Sequence, residues 1–430
     1  MRALVVLLIF LAVPAHAATP LERKVDAYLR PYVDMHTFSG AVLIAKGDQV
    51  VFSKTYGMAN YELRVPNTLD TRFGIASITK RFTRIILDRL VAEEKLSLND
   101  PLAKWVSDFP RADKITVDHL MRHRSGVRDP VKLRRIVRTN YTTGEVVELL
   151  KAEPLGSAPG ETYSYTTANY TILAHIIERV TGKPFAEVVS KYVYQPAGMR
   201  DSGELSTTAV VPRLANGYMP NPHGPGLAVC GPEDTSWKTG GGSSYSTVRD
   251  LHRFVRALYA GKLAPNPLEL IPPGEVLGKR VSTSAGAFPG AGATVLYDLD
   301  DEVTVAVTTN NYSTVWVAIG QDLLALYLGK PYTIPHIELA ASQEPDPRTF
   351  GTYEVVDRAW TYHVGARNGR MYGGNDALRR SAMLRTKDGL WFLPLDWQKL
   401  DLRFDENGKF IEGWMHTPGT AEPLKVVKKE

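Results

Sequence analysis

One serine and one lysine in the first quarter of the chain have the spacing that acyl-transfer chemistry needs. Ser77 and Lys80 lie three residues apart in the stretch FGIASITKRFT, residues 73–83. Side chains at this spacing share one face of a helix, with Cβ atoms about 5–6 Å apart, so the Lys80 amine can reach the Ser77 hydroxyl. A neighbouring base activates a serine, and a helix N-terminus favours developing negative charge. We therefore expect Ser77 to be a nucleophile and Lys80 its base.

The sequence around this pair strengthens the interpretation. A chain of this length contains roughly one or two serine-x-x-lysine matches by chance, so one match alone is weak evidence. Here it is the only match in the chain, and it comes just before a segment whose apolar residues recur at helical spacing as far as Val91. The pattern predicts a helix that buries one face and carries the serine at its start.

The elements on either side of this helix predict an α+β fold. Runs at 40–45 and 49–52 form one hairpin, and β-branched runs at 293–297 and 303–308 form a second. A mostly helical block separates the two hairpins, and an apolar helix at 313–328 follows the second. We expect an antiparallel sheet flanked by helices, with a helical subdomain at about residues 85–240.

The C-terminal sequence predicts a second, smaller unit. Residues 336–347 have the composition of a linker after a domain at 18–335. Beyond it, the turn pairs Asn-Gly at 368–369, Asp-Gly at 388–389 and Asn-Gly at 407–408 separate short apolar runs. Regularly spaced hairpins are typical of a small antiparallel β-domain, which we place at 348–430.

The first 17 residues predict a secretory signal peptide. They combine one positive charge, an apolar run and an Ala-x-Ala end. No later stretch reaches the roughly 18 apolar residues of a membrane-spanning helix, so we expect no transmembrane segment in the mature chain and a periplasmic or secreted location. The single cysteine, Cys230, can form no intramolecular disulfide.

Charge and motifs exclude several functional classes. The net charge of +5 is mild, and the basic residues at 122–138 lack the interleaved aromatic residues of a nucleic-acid site, so we expect no nucleic-acid partner. An α/β-hydrolase is disfavoured because G-x-S-x-G is absent, and a zinc peptidase because H-E-x-x-H is absent. We expect neither a metal nor a cofactor.

Four motifs in a fixed order carry a resemblance to a known superfamily. They are FGIASITKRFT, LMRHRSG at 120–126, YSYTTANY at 163–170, and GGGSSYSTVRDLHRFVRAL at 240–258. Over about residues 20–330 the chain resembles the serine β-lactamase-like superfamily of class C β-lactamases, D-alanyl-D-alanine carboxypeptidases, D-aminopeptidases and related esterases. The resemblance implies a β-lactamase/transpeptidase-like fold with Ser77 as the acylated nucleophile, Lys80 as its base and Tyr165 as the catalytic tyrosine. It also likens the C-terminal unit to the lipocalin-like domain of some members.

The chain departs from the superfamily pattern at two positions. Thr167 stands where an asparagine is usual. The third motif, usually Lys-Thr-Gly or His-x-Gly on a strand, is interpreted as Ser284-Ala285-Gly286, because the match at 238–240 precedes a glycine-rich loop instead of a strand. The resemblance then makes Thr167, Ser284 and Gly286 substrate-binding residues. It makes the N–H groups of Ser77 and Ala287 the oxyanion hole.

These interpretations leave the substrate open. Ser284 offers a hydrogen bond where a cation would attract a substrate carboxylate, so a preference for carboxylates is in doubt. Tyr165 can relay protons if nearby positive charge lowers the pKa of its phenol, and His123 is a weaker candidate. The leading hypothesis is a secreted serine hydrolase for small-molecule or peptide-like esters or amides, with substrates that could derive from the cell wall. The alternatives are a β-lactamase or D,D-carboxypeptidase, and a catalytically silent binding protein. The oligomeric state is unknown.

Overall fold

The computed structural model describes most of the chain in two parts, each with its own sheet. The predicted signal peptide and part of the basic segment at 122–138 lie outside the described residues. The described ranges are 18–129, 140–223, 226–231, 233–313, 315–356, 358, 360–375, 381–418 and 422–429.

Short and long strands make up the sheets of the first part. They are, in chain order, β1 (Gly40–Lys46), β2 (Gln49–Tyr56), β3 (Met58–Asn60), β4 (Val65–Pro66), β5 (Phe73–Gly74), β6 (Gly203–Glu204), β7 (Tyr218–Pro220), β8 (Leu227–Val229), β9 (Ser244–Ser246), β10 (Gly274–Val276), β11 (Lys279–Phe288), β12 (Ala291–Asp298) and β13 (Val303–Thr309). Six of them form the main antiparallel sheet in the order β10-β11-β12-β13-β1-β2.

The helices of this part surround the main sheet or lie between its two hairpins. They are α1 (Pro20–Asp34), α2 (Thr79–Ala92), α3 (Val117–Met121), α4 (Thr143–Lys151), α5 (Ala168–Thr181), α6 (Phe185–Val189), α7 (Gln195–Ala197), α8 (Val248–Tyr259), α9 (Pro267–Leu270) and α10 (Val315–Tyr327). Helices α2 to α7 form the helical block, and the short strands β6 to β9 follow it. The predicted α+β fold is confirmed.

The two predicted hairpins pair with each other through β1 and β13, and this pairing joins them into one sheet. Strand β1 lies antiparallel to β13, with Val42 opposite Val307. Side chains on a strand alternate between faces, and here the two faces bury separate cores. Ala41 and Leu43 pack with the helical block and α8, whereas Val42 packs with α1 and α10 on the other face.

The C-terminal part is one nine-stranded antiparallel sheet. Its strands are β14 (Gly351–Val355), β15 (Trp360–Arg367), β16 (Arg370–Gly374), β17 (Ser381–Ala382), β18 (Leu384–Arg385), β19 (Trp391–Leu393), β20 (Gln398–Phe404), β21 (Phe410–His416) and β22 (Leu424–Lys429). The order is β17-β16-β15-β14-β22-β21-β20-β19-β18. Its two edge strands, β17 and β18, are separated by one residue, so the sheet curls into a nearly closed barrel.

The predicted linker is attached to this second sheet. Leu339 forms a β-bridge with Thr386, and the Ala340 N–H donates to the carbonyl of Arg385 at 2.9 Å. The domain boundaries drawn from the sequence stay predictions. Within the described part of the chain, no helix is both long and apolar enough to cross a membrane.

Candidate active site

Ser77 lies on a tight turn between the main sheet and the helical block. Strand β5 leads into a 3₁₀ turn, Ala76–Ile78, and α2 begins at the next residue. The Thr79 hydroxyl donates to the carbonyl of Ala76 at 2.7 Å and accepts from the Ser244 N–H at 3.1 Å, which fixes the turn. Ala76 has a φ of +44°, a conformation that is uncommon and costs free energy in a non-glycine residue.

The structure brings the three predicted catalytic side chains together. The Lys80 amine lies 3.2 Å from the Ser77 hydroxyl oxygen, and the Tyr165 phenol shares a hydrogen bond of 2.8 Å with the same oxygen. Ser77 therefore has a nitrogen base on one side and a phenol on the other. This is the geometry that activation of a serine requires.

Burial makes Lys80 suitable as a base. It lies in the interior, where desolvation lowers the pKa of its amine to about 7. The charge of Asp129 opposes this shift, and the charge of Lys238 adds to it. The amine also donates to the carbonyl of Gly241 at 2.5 Å, which directs it toward Ser77.

The pKa of the Tyr165 phenol is shifted upward, so the lowered pKa considered from the sequence is not found. Desolvation raises its pKa above the usual 10, and the hydrogen bond with Ser77 offsets only part of that shift. The phenol therefore keeps its proton at neutral pH. The His123 ring lies 4.5 Å from the Tyr165 ring between centroids, and burial lowers the pKa of His123 to about 4, so it is neutral as well.

Strand β11 passes directly against the Ser77 turn. A Cβ atom on Gly286 would lie 2.4 Å from the Ser77 nitrogen and 2.5 Å from the carbonyl oxygen of Ile75, so only glycine allows this approach. Ala287, the next residue, is exposed. The strand thus brings the backbone of the predicted oxyanion-hole residues to one place, while their role stays a prediction.

The other two predicted substrate-binding residues lie differently from expectation. Ser284 is buried, and its hydroxyl accepts from the Arg81 guanidinium at 3.3 Å. Because side chains alternate along β11, the next residue, Ala285, lines the cleft in its place. The methyl group of Thr167 faces the backbone of Gly241. Neither hydroxyl is among the groups that line the cleft beside Ser77.

The glycine-rich loop after the helical block holds the alternative Lys-Thr-Gly match. Lys238 ends a 3₁₀ turn and forms an ion pair with Glu233, and no strand begins there. This supports β11 as the strand of the third motif. Lys238 still lies close enough to the site for its charge to lower the pKa of Lys80.

A cleft of ≈ 600 Å³ opens beside Ser77 and is rich in arginine. Its lining includes Ser77, Lys80, Arg81, Arg84, Arg122, Arg124, Tyr163, Tyr165, Tyr170, Glu269 and Ala285. Sequence reasoning missed Arg81, Arg84 and the carbonyl of Gly241. The arginines had a readable signal, because they lie four and seven residues after Ser77, on the same helix face. Across the described ranges, no group of three or more His, Cys, Asp or Glu side chains could hold a metal ion.

Comparison with known proteins places this geometry in a family. The model of the Beta-lactamase family matches residues 25–328. Esterase EstB of Burkholderia gladioli is 30% identical over 285 residues, covering 56% of this chain and 71% of the esterase. Teichoic acid D-alanine hydrolase of Staphylococcus aureus is 28% identical over 244 residues. That match covers 57% of this chain and only 59% of the length of the relative.

A solved structure extends the likeness in fold to almost the whole chain. The octameric penicillin-binding protein homologue from Pyrococcus abyssi is 21% identical, with a TM-score of 0.63 that covers 94% of this chain and 99% of that one. The likeness therefore includes the C-terminal sheet. Because the family model spans more than half of the chain, including Ser77, Lys80, Tyr165 and β11, the protein belongs to the Beta-lactamase family.

Proposed function

We propose that this protein is a serine hydrolase that cleaves an ester or amide through an acyl-enzyme on Ser77. The observation that carries the proposal is the contact of one hydroxyl oxygen with both Lys80, at 3.2 Å, and Tyr165, at 2.8 Å. The relatives named as an esterase and as a D-alanine hydrolase support the reaction class. The substrate of this chain is not carried over from either.

The two pKa directions assign the proton transfers. With a pKa of about 7, Lys80 is substantially neutral at neutral pH and takes the proton as the Ser77 oxygen attacks the acyl carbonyl. The N–H groups of Ser77 and Ala287 stabilise the developing oxyanion. Tyr165 holds its phenol proton beside the reacting oxygen and donates to the leaving group as the bond to it breaks, and the phenol regains a proton from Lys80. Water then releases the acyl group, with Lys80 again as the base.

The test uses a neutral activated ester and two substitutions. Ser77→Ala removes one oxygen and should abolish hydrolysis of p-nitrophenyl butyrate, while the melting temperature stays unchanged. Tyr165→Phe should reduce kcat/KM by about 10²-fold, the usual effect of losing a positioned acid. Equal turnover by wild type and Ser77→Ala would refute the assignment.

A covalent label separates the proposed hydrolase from its alternatives. Mass mapping after a fluorophosphonate probe should find Ser77 modified, which a catalytically silent binding protein would not give. A stable adduct with a fluorescent penicillin at Ser77 would instead indicate a D,D-carboxypeptidase, and rapid turnover of that penicillin would indicate a β-lactamase.

We also propose that the enzyme acts outside the cytoplasm. The support is the sequence of residues 1–17, with its apolar run and Ala-x-Ala end. N-terminal sequencing of protein from the native cell should give Ala18 as the first residue. A chain that retains residues 1–17 in the cytosolic fraction would contradict the proposal.

A further inference from the structure

Two arginines of α2 follow the Ser77 nucleophile at helical spacing. Arg81 and Arg84 follow Ser77 by four and seven residues, so at about 3.6 residues per turn all three lie on one helix face. With a rise of about 1.5 Å per residue, Arg84 lies roughly 10 Å from Ser77 along the axis. Both arginines line the same cleft as Ser77. The turn and the helix that follows it thus present a nucleophile followed by two guanidinium groups.

Neither guanidinium is neutralised within the described ranges, which exclude residues 130–139. Among the described residues, Arg81 donates only to neutral acceptors, the Ser284 hydroxyl at 3.3 Å and the Thr283 carbonyl at 3.4 Å. The Nε atom of Arg84 is buried and has no hydrogen-bond partner there. Buried polar atoms are normally satisfied, so a buried guanidinium nitrogen without a partner at a cleft indicates a missing ligand.

The neighbouring charges leave this end of the cleft positive. Glu269 lines it and the charge of Asp88 acts on Arg84, yet among the described residues neither carboxylate forms an ion pair with Arg81 or Arg84. Burial raises the pKa of the Asp88 carboxyl, while the charge of Arg84 lowers it. Two adjacent guanidinium groups also repel each other, and burial together with Arg84 lowers the pKa of Arg81. An anion bound between them would relieve that repulsion.

We propose that Arg81 and Arg84 bind an anionic group of the substrate, a carboxylate or a phosphate, about two helical turns from the bond that Ser77 attacks. The inference rests on the proposed acyl transfer at Ser77 and names the substrate class. A guanidinium offers paired N–H donors that match both anions. The cation that Ser284 does not supply thus comes from α2, and the anion lies on the acyl chain, as in a half-ester of a dicarboxylic acid.

The kinetic test compares two esters that differ in one charge. We would measure kcat/KM for p-nitrophenyl butyrate and for the mono-p-nitrophenyl ester of glutaric acid. Wild type should prefer the glutarate ester, and the preference should fall at least about tenfold in Arg81→Gln and in Arg84→Gln, as for loss of a charged contact. Arg89→Gln is the control, because Arg89 is an exposed arginine of the same helix, and it should keep the preference. A preference that survives both Arg81→Gln and Arg84→Gln would overturn the proposal.

A binding measurement keeps this test separate from the test of the reaction. The Ser77→Ala protein would be titrated with glutarate and with inorganic phosphate by calorimetry, alone and combined with Arg81→Gln or Arg84→Gln. Saturable binding that either glutamine removes supports the site, and the tighter anion identifies the group. If wild type hydrolyses neither ester, the proposed function fails while the titration still decides the anion site. Binding of neither anion, or binding that the glutamines leave unchanged, overturns the site.

Discussion

At the scale of single residues, the proposed mechanism divides proton transfer between a neutral amine and a protonated phenol. Desolvation acts on both groups but in opposite directions, because it disfavours the charged form of each. It lowers the pKa of Lys80 to about 7 and raises that of Tyr165. The lysine therefore accepts a proton near neutral pH, and the phenol has one to give.

This division predicts the pH dependence of ester hydrolysis. Since only neutral Lys80 can accept the Ser77 proton, kcat/KM should rise with pH through about 7 and then level off. Lys238→Gln removes a positive charge that lowers the pKa of Lys80, so the rising limb should move to higher pH. At pH 9 the substitution should change kcat/KM less than about threefold, because Lys80 is then neutral in both proteins.

The control for this prediction is a lysine whose charge lies away from the site. Lys95 is exposed and paired with Glu93, so Lys95→Gln should leave the pH at which kcat/KM rises unchanged. A limb that moves to lower pH in Lys238→Gln, or that stays where it is, would contradict the electrostatic coupling.

The sequence could predict that Ser77, Lys80 and Tyr165 lie together, but not all that tunes them. Helical spacing alone placed Lys80 beside Ser77, and motif order placed Tyr165 with them. The carbonyl of Gly241 belongs to a loop 161 residues further along the chain, so no local pattern brings it to the lysine. The upward shift of the Tyr165 pKa could not be read from the sequence either, because desolvation of the phenol is a property of the assembled cleft.

At the scale of elements, the site depends on how closely β11 approaches the Ser77 turn. The turn is held by Thr79, and the strand is held by its pairing with β12, where Gly286 lies opposite Ala293. The backbone of Gly286 meets the Ser77 nitrogen without a side chain between them. The strand and the turn can therefore lie this close together only because residue 286 has no Cβ atom.

Gly286→Ala should damage this junction more than the rest of the fold. The added carbon would lie 2.4 Å from the Ser77 nitrogen, so the strand and turn must separate and the proposed oxyanion donors would lose their positions. We expect kcat/KM for p-nitrophenyl butyrate to fall at least about 10²-fold, the scale of one lost oxyanion donor. The free energy of unfolding should fall by about 1–3 kcal/mol.

A second glycine of the same sheet provides the matched comparison. A Cβ atom on Gly274 of β10 would meet nothing within 4 Å, so Gly274→Ala should keep both activity and stability. Equal activity of Gly286→Ala and wild type would mean that β11 does not form part of the oxyanion hole.

The order of elements was enough to predict much of the fold. It could not predict which residues of a strand face the core and which face the cleft. The hairpins, the helical block and the closing helix were all readable from period and turn residues. The order of elements also selected residues 284–286 over 238–240 as the third motif. Which face of β11 meets Arg81 and which meets the cleft depends on register, so the burial of Ser284 and the place of Ala285 in the cleft lining could not be read from the motif.

At the scale of the whole molecule, the two parts share a hydrophobic core. Trp397 and Phe392 of the C-terminal sheet belong to the same buried cluster as α1, α10 and one face of the main sheet. The Trp397 ring lies 4.4 Å from the Tyr32 ring of α1 and 5.0 Å from that of Phe392, between centroids. The Arg370 guanidinium also donates to the carbonyl of His223 at 3.2 Å. These contacts join the parts into one unit away from the Ser77 cleft.

Trp397→Ala should therefore weaken the junction of the two parts without changing the chemistry. Trp397 is 6% exposed, and truncating a buried tryptophan leaves a cavity that costs about 3–5 kcal/mol. We would follow urea unfolding by two probes and expect a lower midpoint. In the protein that is still folded, kcat/KM should rise with pH through about 7, as in wild type. Trp360→Ala is the control, because Trp360 lies in the same sheet but is 38% exposed, and its loss should cost under about 1 kcal/mol. Equal midpoints for wild type and Trp397→Ala would mean that the first part draws no stability from the C-terminal sheet through this contact.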